Sequence, residues 1–442
     1  MTFELLFDWD EAPGVAAPEL KATWAQLQIR VGDRSATAVE SETGVLRRSI
    51  HVPLYPLAEW IAYNWWFLCH NQRPRGLRDR DLSMSARLLR PGADSSWVTN
   101  HNLRAIGEGF AWPDLTLVPG EGSHLVVWQG DPTRIPHSRV RFSTSGRAEV
   151  DSESLISALA GLVETVTARL IELDERDHPL LAEWQWVKSV EADEADFCVA
   201  AARLGIDPAD VSDEIADTVV EIGDRLSTQL LDDFLDAASS QSLANDLAWV
   251  LESRSLIEAS DLTTERLPKL SATSVPNQRP WLLGQLDAVR VRSELGLESV
   301  ERVSLDPFVA LLPRDPASRG IEALGGKSQM GGSTVSLGRQ RTEAAQRFAA
   351  ARAAWRFARG EGEFLLTSTR TRLQKAERAF AAELTAPAEG IRELLGFVED
   401  GAVSLDEVGE ISDHFGVNEW VVEYQIENQL ELDVADPELL RS

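Results

Sequence analysis

The periodicity of apolar residues changes near residue 150, and that change limits the folds open to this chain. Before it, Leu27, Ile29 and Val31 alternate with polar residues. After Asp151, Leu155, Ile156, Leu159, Leu162 and Val163 recur at intervals of three and four. A period of two puts one face of a strand in a core, and a period near 3.6 does the same for a helix. The chain therefore reads as α+β, with a β-containing N-terminal part followed by a mainly helical remainder.

Further strands are expected over Arg47–Val52, Leu125–Trp128 and Val140–Phe142, with turn signals at Gly120-Glu121-Gly122 and Ser145-Gly146. One early helix is expected from about Pro56 to Leu68. Eight of the 14 tryptophans fall by residue 128, so the first segment, 1–148, is a Trp-rich α+β domain. A helical domain follows over 149–262. Within it, Leu204-Gly205-Ile206-Asp207-Pro208 ends one helix and another starts near Asp213. Residues 262–280 read as a linker, and Gly325 to Gly332 as a flexible stretch. A third domain spans 280–400. It carries helices over 342–359 and 371–384, the latter closed by Pro387. An acidic tail, 401–442, holds two helices about Phe415-Gly416-Val417-Asn418.

With 442 residues the chain is long enough for two to four domains. Cys69 and Cys198 are its two cysteines, which points to a reducing cytoplasm. No basic stretch precedes the first apolar residues, and no uncharged apolar run approaches the ~20 residues of a membrane helix. Neither secretion nor a membrane partner is expected. The net charge of -28 disfavours coating of nucleic acid. That charge is uneven: residues 341–380 carry +5, between stretches of -17 and -14. This basic island holds Arg341, Arg347, Arg352, Arg356, Arg359, Arg370, Arg372, Lys375 and Arg378.

Several local signals lead nowhere. Gly325-Gly326-Lys327-Ser328 lacks the glycine that a phosphate loop needs at 321, where Ile stands. The seven histidines include no i,i+4 pair, so no metal ligand set is expected. Cys69 and His70 are adjacent and cannot face each other on a helix. Arg73, Arg75, Arg78 and Arg80 form a short basic loop, a candidate contact for nucleic acid or phosphate, although a solvated loop explains it as well.

One region has a recognisable pattern. Phe380-Ala381-Ala382-Glu383-Leu384-Thr385-Ala386-Pro387 resembles the FAAELLMP segment of ImmA/IrrE-type zinc metallopeptidases. Arg347-Phe348-Ala349-Ala350-Ala351 is similar to the start of that family's active-site helix, and His414 to Val422 to its closing helix–turn–helix. The resemblance covers roughly residues 280–430 and implies a zincin-like domain over 280–400. It departs from the family at the chemistry. Arg352 and Arg356 stand where the two zinc-binding histidines of H-E-x-x-H belong, and Ala353 where the general-base glutamate belongs. Gln374 falls near the third, acidic ligand, with Glu377 one turn away. Arginine stays protonated and offers donors only, and alanine cannot take a proton from water.

The resemblance thus implies a pseudo-peptidase without catalytic residues, metal or other cofactor. Arg347, Arg352, Arg356, Gln374, Glu377 and Arg378 would line a former cleft, open to an anion or partner unless internal carboxylates neutralise it. The implied role is a non-catalytic regulatory or interaction protein in bacterial stress response, toxin–antitoxin control or phage defence, with a protein partner encoded nearby. The alternatives are a divergent zinc metallopeptidase that cleaves a regulator, and a nucleic-acid-associated protein using the 341–380 island.

Overall fold

The computed structural model describes the chain except for residues 13, 75–76, 86–95, 134–139, 174–177, 272–278, 315–319, 339–341, 370, 397–401 and 436–442. The fold is mixed α+β, built as two compact units, Met1–Val219 and Val220–Ser442.

In the first unit, β1 (Phe3–Trp9) pairs antiparallel with β2 (Trp24–Val31), which also pairs with β3 (Arg34–Ser35) and, through its first half, with β6 (Ile50–Pro53). A second sheet joins β4 (Val39–Ser41) to β5 (Leu46–Arg47) and β9 (Val140–Phe142). A third has the order β10-β8-β7, from Gly146–Asp151, Ser123–Gln129 and Asp114–Val118. The expected helix over 56–68 forms as two, Tyr55–Tyr63 and Trp65–His70, separated at Asn64. Helix α1 (Ser152–Glu172) starts on an Asp151 side chain that accepts from the Ser154 amide at 2.9 Å. It is long and apolar enough to cross a membrane by length and composition. One face of it, Leu155, Leu159, Leu162, Val163, Val166 and Leu170, lies in the core with Leu27, Ile29 and Leu57. Of the early tryptophans, Trp24, Trp97, Trp112 and Trp128 are buried and the others are half-buried.

The helices that the sequence groups as 149–262 divide between the units. Those through residue 189 share the first core and Ala192–Arg203 packs on the helix Trp65–His70, while α2 (Thr228–Ala237) and α3 (Leu243–Glu258) pack on the second unit's sheet. That sheet has the order β11-β13-β12-β14, from Ala310–Pro313, Ser333–Leu337, Ile321–Lys327 and Phe364–Thr367. Beside it lie α4 (Pro280–Glu294), α5 (Glu343–Ala358) and α6 (Arg372–Thr385). The last two match the expected helices within a residue at each end. Thr342 and Thr371 cap them by accepting amide hydrogen bonds from Ala345 and Gln374.

Helices α4 and α6 approach closely because Gly284 has no side chain. A Cβ there would lie 2.0 Å from the Ala376 carbonyl oxygen. Small residues have the same effect along α5, where Ala349, Ala350, Ala351, Ala353 and Ala354 are all buried. The acidic tail folds as α7 (Leu405–Phe415) and α8 (Glu419–Gln425) about Gly416, whose φ of 65° is left-handed. Its Val408, Ile411, Phe415, Val421 and Val422 enter the same core as α5 and α6.

The flexible stretch expected at Gly325 to Gly332 needs correction. Gly325 and Gly326 sit inside β12, paired with Val335 and Thr334 of β13. The absence of side chains serves packing there: a Cβ on Gly325 would lie 2.3 Å from the Phe364 ring, and one on Gly326 3.2 Å from Ile257. The expected linker is fixed at its described end. The Glu265 amide donates to Pro307 at 2.7 Å and that of Leu270 to Ala358 at 2.9 Å.

Candidate functional site: a buried arginine–carboxylate network

Arg352 and Arg356 stand one turn apart on α5, so both guanidinium groups leave the same face. That face is turned inward. Arg352 is 2% exposed and Arg356 0%. Burying two cations is costly unless every donor finds an acceptor, and here acceptors converge from five elements.

Arg352 donates from Nε to Glu377 Oε1 at 2.8 Å and from Nη2 to the Thr367 carbonyl at 2.8 Å. It also donates to Glu322 and, through Nη2, again to Glu377. Arg356 donates from Nη2 to Asp233 Oδ2 at 2.7 Å, from Nη1 to Glu377 Oε2 at 3.4 Å and from Nε to Glu361. Its guanidinium carbon lies 4.9 Å from the Phe364 ring centroid. Glu377 on α6 therefore bridges the two arginines with one carboxylate. Asp233 comes from α2, Glu322 from β12, and Glu361 from the turn after α5.

Four carboxylates face two guanidinium groups, so full ionisation would leave an excess of two negative charges. The titration shifts relieve that excess. Burial pushes the Asp233 carboxyl up to about 7, against the opposing pull of Arg356. Burial raises Glu361 as well, again against Arg356. For the arginines the balance runs the other way. Burial would lower Arg352, but Glu377 and Glu322 outweigh it and hold the guanidinium above its usual value. Arg356 is likewise raised, because Asp233, Glu377 and Glu361 overcome the effect of burial. Both arginines stay charged, and protons are taken up on the carboxylate side.

The remaining residues of the expected cleft are also engaged. Gln374 is 1% exposed and exchanges hydrogen bonds with the Thr367 and Thr369 hydroxyls. Arg378 donates to the carbonyls of Thr369 at 2.6 Å and Thr367 at 2.8 Å. Arg347 stands apart: it donates to the Val303 carbonyl, and burial beside Arg302 lowers it to about 10. Of the two readings the sequence left open at Arg352 and Arg356, an anion cleft or pairing with internal carboxylates, the buried ion pairs match the second. Of the rest of the basic island, Arg359 donates to the Ser271 carbonyl at 2.9 Å and lies over Trp355, while Arg341 and Arg370 fall outside the described residues.

This network does not fit a zinc ion. A metal needs lone pairs, the two helix positions that would supply them carry guanidinium donors, and Glu377 is committed to both. Ala353, 0% exposed, has no group to activate water. Among the described residues no cluster of three or more His, Cys, Asp or Glu could hold a metal.

The other sequence signals resolve as follows. A cleft of about 410 Å³ is lined by Arg225, Arg254, Lys327, Glu258 and Glu363. Glu363 accepts two hydrogen bonds from Arg254, and Lys327 donates to Ser333 Oγ at 2.8 Å beneath the Phe357 ring. The backbone at Gly325 and Gly326 is held in the sheet, so it does not form a phosphate cradle. In the basic loop, Arg73 pairs with Asp79 at 2.5 Å, and Arg80 approaches Asp81 at 3.9 Å. The Arg73 hydrogen bond draws the Asp79 carboxyl down. The Arg78 amide donates to Asp81 at 3.0 Å, and Arg75 falls outside the described residues. Burial pushes the Cys69 thiol up to about 12 and lowers His70 to about 4, so neither is an ionised nucleophile or acid at neutral pH.

Sequence reasoning singled out both arginines, Gln374 and Glu377, but not Asp233, Glu322 or Glu361. A second buried polar cluster, in the first unit, was also missed. Asp114 there accepts from Ser83 at 2.6 Å and Asn102 at 2.7 Å, and these hydrogen bonds overcome the effect of burial to lower its carboxyl.

No family model, curated protein or solved structure matches this chain.

Proposed function

We propose that the second unit is a degenerate ImmA/IrrE-like, zincin-like domain, in which an ion network has taken the place of the metal centre. The protein then acts without catalysis, as a regulatory or interaction protein in a bacterial stress-response, toxin–antitoxin or phage-defence setting. The observation that carries this reading is the bridging of Arg352 and Arg356 by Glu377. Two residues at i,i+4 on one helix and a carboxylate from the next helix are the positions from which a metal would be held in the family resembled. Two guanidinium charges in place of a dication preserve the electrostatic role of holding the two helices together, while removing the Lewis acid. The order of elements also supports the reading: a helix at 280–294, a sheet, the arginine-bearing helix, then the helix of Glu377.

The test uses the full chain and the product of the adjacent gene. Pull-down of the two purified proteins should recover the partner intact, and added chelator should change neither binding nor partner length. Cleavage of the partner that stops with chelator would overturn the proposal in favour of a divergent metallopeptidase.

A further inference from the structure

The short helix Trp65–His70 ends among three histidines drawn from three elements. His70 is its own last residue, His101 ends the helix Ser96–His101, and His124 lies on β8. His101 and His124 are 0% and 1% exposed. Both reach carbonyls of the short helix. His101 Nε2 lies 3.1 Å from the Phe67 oxygen, and His124 Nε2 lies 2.9 Å from that of Leu68. A carbonyl only accepts, so a ring nitrogen that bonds to it must donate. The Trp97 indole, stacked on His101 with centroids 4.0 Å apart, donates to the Asn71 carbonyl at 3.2 Å. Two imidazoles and an indole thus tie the end of this helix to its neighbours.

We propose that the three histidines are an acid-sensitive latch, which releases the helix Trp65–His70 from Ser96–His101 and β8 in mild acid while the second unit stays folded. Each ring is poorly placed to take a proton. Neutral His124 uses Nδ1 to accept from the Ser152 hydroxyl at 2.8 Å, and a proton there breaks that hydrogen bond. His101 has a second carbonyl, that of Trp97, 2.6 Å from Nδ1. Two carbonyls favour the charged ring, but burial outweighs them. No carboxylate compensates. Among the described residues, the ionisable groups that act on the three rings are the other histidines and Arg203 of the helix Ala192–Arg203. Tyr55–Tyr63, β7, β10 and α1 also pack here, and none brings an ionisable group to bear on them. Burial therefore holds His70 and His101 at about 4, against an ordinary 6.5, and lowers His124 in the same direction. The open chain takes up protons that the closed cluster refuses, so the closed form loses stability as pH falls from about 6.5 to about 4. The buried network of the second unit responds in the opposite sense, because its Asp233 carboxyl is raised and gains from acid over that range.

Amide hydrogen exchange of the full chain, read by mass spectrometry at pH 7.5 and 5.5 and corrected for the intrinsic rate, tests the latch. Closed and open values of about 4 and 6.5 make each of His70 and His101 favour opening about tenfold more at the lower pH. Segments 65–71 and 96–103 should therefore exchange about a hundredfold faster at pH 5.5, and segments 352–358 and 372–380 no faster. His70 is half-buried and makes no hydrogen bond among the described residues, so His70→Gln should fold and cut the ratio to about tenfold. His124→Gln keeps a donor for the Leu68 carbonyl without a titrating ring. It should also lower the ratio, even where its exchange at pH 7.5 is faster than that of the wild type. Three results would overturn the proposal: a wild-type ratio near one, either variant with the wild-type ratio, or equal acceleration in the second unit.

Discussion

Replacing Arg356 by Met keeps an unbranched apolar stem and removes the guanidinium, with both its charge and its hydrogen-bond donors. The structure sets the consequence. Asp233 and Glu377, with side chains 6% and 0% exposed, lose their shared cation at once, and Glu361 loses its partner. Removing one member of a buried ion network costs about 3–5 kcal/mol, because the remaining charges stay buried without compensation. The cost depends on pH in a definite sense. The folded-state Asp233 carboxyl is already raised to about 7, from an ordinary value of 3.8. A raised carboxyl binds protons more tightly in the folded state, so its contribution to stability falls as pH rises from about 4 to about 7. Without Arg356 the carboxyl rises further, and the loss extends to higher pH. Urea unfolding of the Arg356→Met chain, followed by tryptophan fluorescence, should show the full loss near pH 8 and a clearly smaller one near pH 5.5. A loss below about 1 kcal/mol, or one equal at both pH values, would refute the reasoning.

Other substitutions test neighbouring parts of the account. Asp233→Asn should flatten the fall in stability between about pH 4 and 7 that the wild-type chain shows, read from urea midpoints across that range. Gly325→Ala should cost about 1–3 kcal/mol through overlap with Phe364, whereas a flexible loop would tolerate it. Ser404→Ala should cost about 1 kcal/mol, because Ser404 and Glu407 cap α7 reciprocally, and thermal melting would register it.

Local order was legible where chemistry and period agreed. The alternation of Leu27, Ile29 and Val31 foretells β2. The boundaries of α5 and α6 follow from Thr342, Thr371 and Pro387, residues that cap or end a helix by local hydrogen bonding and sterics. The inward pairing of Arg352 and Arg356 was half legible. Spacing along α5 puts them on one face, but whether that face meets water depends on residues far away in sequence. Asp233, 123 residues from Arg356, and Glu322, 30 from Arg352, carry no local mark of their role. An acidic residue in an acidic chain looks like solvated surface until the fold buries it. Gly325 and Gly326 misled for a related reason. Glycine signals a turn by its freedom, but here it serves close packing against Phe364 and Ile257. The tryptophans show the same limit, because Trp281 and Trp420, from the second unit, are more exposed than the eight early ones that composition draws attention to.

The central proposal is that guanidinium groups hold the positions where a zinc peptidase of the family resembled would hold its metal. The most direct test is the metal content of the full chain, purified without chelator from cells grown with added zinc and measured by inductively coupled plasma mass spectrometry. The account predicts zinc far below one equivalent per chain, unchanged in Arg352→Lys. One tightly bound zinc per chain, lost on substitution of Glu377, would contradict it.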